Sequence, residues 1–110
     1  MRGINRLFIM GNVGIQPKIQ KSKNDNSYTD LRLATHRNIK KGDKWSEITD
    51  WHDIRIWGED AVRCCRLLQP GDTVAVDGSL RTDSWINEAG EKTFSTGVVC
   101  KAIHFVRLGH

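Results

Sequence analysis

Between Asp50 and Gly58 the chain reads Trp51-His52-Asp53-Ile54-Arg55-Ile56-Trp57, and its strict two-residue alternation is the pattern of a half-buried strand. Successive side chains of a strand point to opposite faces. Trp51, Asp53, Arg55 and Trp57 therefore share one side, and His52, Ile54 and Ile56 share the other. The isoleucines are the core set. That leaves two tryptophans and an arginine either open to solvent or covered by a second element, and exposed tryptophan needs a reason. A stacking platform for nucleic-acid bases supplies one: each stacked base is worth about 1–3 kcal/mol, and every base has a π-face, so such a surface need not read sequence. A strand buried on both faces, or a protein contact, would account for the same residues.

A second strand repeats the arrangement. Val74, Val76, Gly78, Leu80 and Thr82 alternate with Thr73, Ala75, Asp77, Ser79, Arg81, Asp83 and Trp85, so Trp85 shares its side with Arg81. Core packing explains two such strands poorly, because buried arginines would need buried partners.

At 110 residues the chain is long enough for one domain, spanning 1–110, that buries roughly 65% of its unfolded surface. Its formal net charge is +4, which favours a polyanionic partner. Residues 1–57 carry 11 Lys and Arg against 6 Asp and Glu, whereas residues 58–110 carry 6 against 7, so the excess belongs to the first half. Cys64, Cys65 and Cys100 fit neither a zinc site nor a secreted disulfide framework and read as reduced thiols. The apolar run Leu7–Met10 is too short for a signal peptide or membrane span, so a cytoplasmic protein without a membrane partner is expected.

Asn5 to Gly11 reads as a first strand, apolar on both sides, that Gly11-Asn12-Val13-Gly14 and Pro17 break or bend; Leu7, Phe8 and Met10 suggest a subunit contact. Polar turn material over Lys21–Ser27 precedes a second strand around Leu31, Leu33 and Thr35, whose other face carries Arg32. Ile39-Lys40-Lys41-Gly42-Asp43-Lys44-Trp45 reads as a protruding basic loop, and a tryptophan among three lysines points to binding. Glu59–Leu68 is a predicted helix with Ala61, Val62, Cys65 and Leu68 on its apolar face, ended by Pro70-Gly71. Two long strands follow, about 72–85 and 92–105, joined by Asn87-Glu88-Ala89-Gly90. Three strands, a short helix and two strands predict an all-β chain with one short helix, in the order of an OB-fold, a five-stranded partly open Greek-key barrel.

No catalytic constellation is visible. His36, His52, His104 and His110 are scattered, with no metal-ligand spacing, and Asp53 among Trp and Arg reads as a surface ion pair. No enzyme, cofactor or metal is expected.

The chain resembles the bacterial single-stranded DNA-binding proteins, which are tetrameric and built on an OB-fold. The resemblance rests on Gly3-Ile4-Asn5-Arg6 leading into Met10-Gly11-Asn12-Val13-Gly14 and Pro17, on Leu33-Ala34-Thr35, and on Asp50-Trp51-His52 with Trp57-Gly58. It continues through Pro70-Gly71-Asp72, Gly78-Ser79-Leu80-Arg81-Thr82 with Trp85, and Val98-Val99. It implies that Trp51, Trp57 and Trp85 stack bases while Arg55 and Arg81 lie on the same path, where the sequence reading adds Arg32, Lys40, Lys41, Lys44 and Trp45. It also implies that His52 and the first strand, including Asn5, sit at a protomer interface of a homotetramer; the residues permit a dimer equally. Ile39 stands where many members carry a stacking tryptophan, and Glu59, Pro70 and Asp83 where they often carry Lys or Arg, which implies weaker and less salt-dependent binding. The family's acidic C-terminal tip, which recruits replication and repair proteins, has no counterpart before His110. The implied function is sequence-nonspecific binding and protection of single-stranded DNA in replication, recombination or repair, at the nucleoid. The alternative is an adaptor for a replication protein, resembling the primosomal replication-restart protein.

Overall fold

The computed structural model describes residues 2–109, which leaves His110 outside it. Alternation in the sequence becomes six strands and one helix. These are β1 (Leu7–Val13), β2 (Gln20–Lys21), β3 (Ser27–Lys41), β4 (Lys44–Trp57), α1 (Glu59–Leu67), β5 (Thr73–Ile86) and β6 (Lys92–Arg107). The strand absent from the sequence reading is β2, two residues paired with Tyr28 and Ser27 of β3, too short to show a period.

Two long antiparallel hairpins dominate. β3 and β4 pair from Tyr28↔Trp57 out to Lys41↔Lys44, and β5 and β6 from Thr73↔Arg107 out to Ile86↔Lys92. At their base β4 and β6 meet in parallel over only Ile54↔Val98 and Arg55↔Val99. β1 pairs antiparallel with β5 and touches β3 at Asn12↔Ala34 and Val13↔Leu33. The sheet order is β1-β5-β6-β4-β3-β2 with the extra β1–β3 pairing. β1 runs on through Gly11-Asn12 rather than breaking there. A Cβ on Gly11 would collide with the Ala34 carbonyl, so the glycine serves a close backbone approach and not a turn.

The core fills this base. Ile9, Val13, Leu31, Leu33, Ile54, Ile56, Val74, Val76 and Ile103 meet Ala61, Cys64 and Leu68 at the helix. The helix presents Ala61, Cys64 and Leu68, an i, i+3, i+7 stripe, whereas Val62 is exposed and Cys65 only half-buried. Neither Val62 nor Cys65 is therefore on the buried face the sequence suggested. All three cysteines are free.

Beyond the base the hairpins become two solvent-exposed ribbons. The stretch expected to be a basic loop is regular β-structure up to a turn at Gly42 and Asp43, because hydrogen bonding between strands needs no buried face. In β5 the aliphatic alternation ends at a register shift between Asp77 and Gly78. Val74 and Val76 are buried, but Leu80 is half exposed, which corrects its assignment to the core face.

Candidate nucleic-acid interface

The groove between the ribbons is lined by Arg32, Trp51, Asp53 and Arg55 on one side and by Leu80, Arg81, Asp83 and Trp85 on the other. Ser95–Val99 of β6 and the segment around Ile15 and Lys18 complete it, enclosing about 1150 Å³. β4 positions its residues by alternation: Ile54 and Ile56 are anchored in the core, which turns Trp51 and Trp57 outward at 49% and 40% exposure, Trp51 in the groove lining and Trp57 outside it. Trp85, at 48%, faces the groove from the other ribbon.

Trp51 is held by two neighbours. A Cβ on Gly14 would collide with Cζ3 and Cη2 of its ring, so the indole lies directly against the Gly14 backbone. The Arg32 guanidinium stands 4.9 Å from the ring centroid. Trp57 packs on Tyr28 with ring centroids 5.0 Å apart, and Arg55 lies 4.5 Å from the Tyr28 centroid and 5.9 Å from that of Trp57. The result is one aromatic and cationic surface built from both strands of the hairpin.

Carboxylates temper its charge. Arg55 donates to Asp30 through Nε at 2.8 Å and Nη2 at 2.9 Å, and this hydrogen bonding raises its pKa above the ordinary value. Arg32 donates to Asp53 at 3.4 Å, the surface ion pair expected for Asp53. Arg81 and Lys18 have no carboxylate partner among the described residues, so they remain the groove's unengaged cations.

Several expected residues lie elsewhere. Lys40, Lys41, Lys44 and Trp45 stand at the tip of the β3–β4 ribbon, outside the groove lining, with Lys40 Nζ 5.8 Å from the Trp45 centroid. Trp45 nevertheless shares its face of β4 with Trp51 and Trp57, at six-residue intervals or about 20 Å. Asn5 uses its side-chain amide within the chain, accepting from the Leu80 N–H and donating to the Leu80 carbonyl. Leu7 is half-buried against the core, whereas Phe8 and Met10 are exposed on β1. His52 is half-buried and hydrogen-bonds Thr35 Oγ1 at 2.8 Å.

Sequence reasoning missed Tyr28, Asp30, Gly14 and Lys18. The first two sit directly across from Trp57 and Arg55, a relation readable only once the β3–β4 register is known. Gly14 and Lys18 reach the site through tertiary contact and carry no local signal. Among the described residues no group of three or more His, Cys, Asp or Glu is placed to hold a metal, and no helix is long and apolar enough to cross a membrane.

Comparison with known proteins adds a family match. The model of the single-strand binding protein family matches residues 4–106. The single-stranded DNA-binding protein 1 of Chlorobaculum tepidum is 34% identical over 101 residues, covering 90% of this chain and 62% of that protein. The chain thus spans less than two thirds of that relative's length. Among solved structures, a Plasmodium falciparum SSB in complex with ssDNA superposes with a TM-score of 0.78 at 23% identity, covering 96% of this chain and 97% of that one. At that identity the likeness speaks for the fold alone. A deletion mutant of the single-stranded DNA-binding protein from Thermus aquaticus gives a TM-score of 0.82 at 25% identity, covering 96% and 52%.

Proposed function

The chain belongs to the single-strand binding protein family, and from that premise we propose that it binds single-stranded DNA without regard to sequence and protects it during replication, recombination or repair. The observation that carries this is the pairing of Trp51 and Arg32 with Trp85 and Arg81 across one groove. Bases stack on the indoles, and a strand so occupied is withheld from reannealing. The site comprises Trp51, Trp57, Trp85, Arg32, Arg55 and Arg81, extended by Trp45, Lys40, Lys41 and Lys44 along the β3–β4 ribbon.

The parent fold is read as one OB-fold domain, a partly open barrel, with β1 pairing to both β5 and β3 as support. Phe8 and Met10 are read as a self-association face in a homotetramer or dimer, and the setting as the cytoplasm at the nucleoid. The reading assigns no chemistry to the chain.

Because Arg32 and Arg55 are engaged by carboxylates, binding is dominated by stacking and only weakly salt-dependent. Titration with oligo(dT), followed by tryptophan fluorescence at low and high salt, is the test. Saturable quenching that resists salt supports the proposal, and Trp51→Ala then loses more affinity at high salt than Lys44→Ala. A folded protein with no quenching overturns it. The groove carboxylates also suit an adaptor that meets a basic replication factor. Capture of such a factor that survives nuclease treatment, together with absent quenching, would put that reading in its place.

A further inference from the structure

The β5–β6 ribbon has two faces, and only one borders the groove. Cross-strand register sets Asp83 opposite Ser95 and Trp85 opposite Thr93, and of these Asp83, Trp85 and Ser95 line the groove. The reverse side carries Ser84 opposite Phe94 and Ile86 opposite Lys92. Phe94 is 62% exposed, and neither it nor Ile86 belongs to the core, so packing does not account for them. Lys92 Nζ stands 5.5 Å from the Phe94 centroid, a cation over a ring as in the Arg32–Trp51 pair of the groove. Beside them Ser84 adds a hydroxyl, and Thr82, hydrogen-bonded at 3.0 Å to the groove-lining Thr96, follows further down the ribbon.

We infer that this reverse face is a second stacking site, and that a single strand leaving the groove over Trp85 turns round the side of the ribbon to lay a base on Phe94, with Lys92 at its phosphate. The inference rests on the strand-binding reading of the groove. A ring, a cation and a hydroxyl side by side suit a nucleotide better than a second copy of the chain, since the centre of a protein interface is depleted of charge. Trp85 and Phe94 belong to directly adjoining cross-strand pairs. Glu88 and Glu91 at the turn repel phosphate, which directs the path over the ribbon's side and not its tip.

The test compares the wild-type chain, Phe94→Ala and Phe94→Tyr on two lengths of oligo(dT), about 4 and about 16 nucleotides, spanning the range of OB-fold site sizes. Phe94→Ala should lose about tenfold in affinity for the longer strand and nothing on the shorter, while Phe94→Tyr keeps both. Phe94→Trp should add emission that the longer strand quenches and the shorter does not. Unchanged affinity of Phe94→Ala on both lengths overturns the inference while leaving the groove reading intact. So does a change confined to self-association in sedimentation, which would assign the face to a second copy. Absence of any quenching in the wild type overturns both readings together.

Discussion

Trp51 owes its placement to a residue without a side chain. Because Gly14 lies against the indole, Gly14→Ala should displace the ring, shift the tryptophan emission of the free protein and weaken oligo(dT) binding by up to the ~1–3 kcal/mol of one stacked base. Thermal unfolding distinguishes this from general damage, since Gly14 and Trp51 meet outside the core cluster and the melting temperature should move little. Arg55 makes the opposite case, a functional group restrained by a neighbour. Asp30→Asn removes the bidentate carboxylate, so the guanidinium should become available to phosphate and steepen the log–log salt dependence by about 0.7. Stability should change by less than about 1 kcal/mol, because both partners are substantially solvated. A fall in low-salt affinity would instead mean that the pair serves to aim Arg55.

The two hairpins divide their labour along their length. At the base, Leu31 and Ile54 are directly paired on the buried face, and Leu31→Ala should cost about 2–5 kcal/mol in urea unfolding. Toward the tip the same strands carry no core residue, and Lys40→Ala or Lys44→Ala should leave unfolding within about 0.5 kcal/mol of wild type. Each should instead make the salt dependence of binding shallower, by about 0.7 for every phosphate that the lysine neutralises in the wild type. The strand through Trp51 and Trp57 is legible in sequence because its isoleucines alternate with them. Residues 39–45 read as a loop because charge and a glycine interrupt that period. A ribbon stabilised by backbone pairing has no apolar face to announce it, so this part of the element was illegible.

Across the molecule, burial raises the Cys64 thiol to about 12 and that of Cys100 to about 11, against an ordinary 9.0. A thiol harder to ionise in the folded chain than in the unfolded one gives its full contribution below about pH 9, and that contribution is lost as pH climbs toward the folded values. Urea midpoints should therefore decline from about pH 9 upward, and Cys64→Val should flatten part of that decline; identical slopes would exclude the thiol as the cause. Both cysteines were legible as reduced thiols, but their depth was not. The chain by itself determined which faces of β4 and of the first part of β5 are apolar, where the helix lies, and that tryptophan and arginine share surfaces, because these follow from periods of 2 and 3.6 written in consecutive residues. Tertiary structure alone decided that Asp30 engages Arg55 and that Asp53 takes Arg32 as its partner, that Tyr28 and Gly14 support the tryptophans, and that Trp85 and Trp51 border one groove. Those relations join residues far apart in sequence, and strand register, which sets them, depends on how the whole sheet packs around its core.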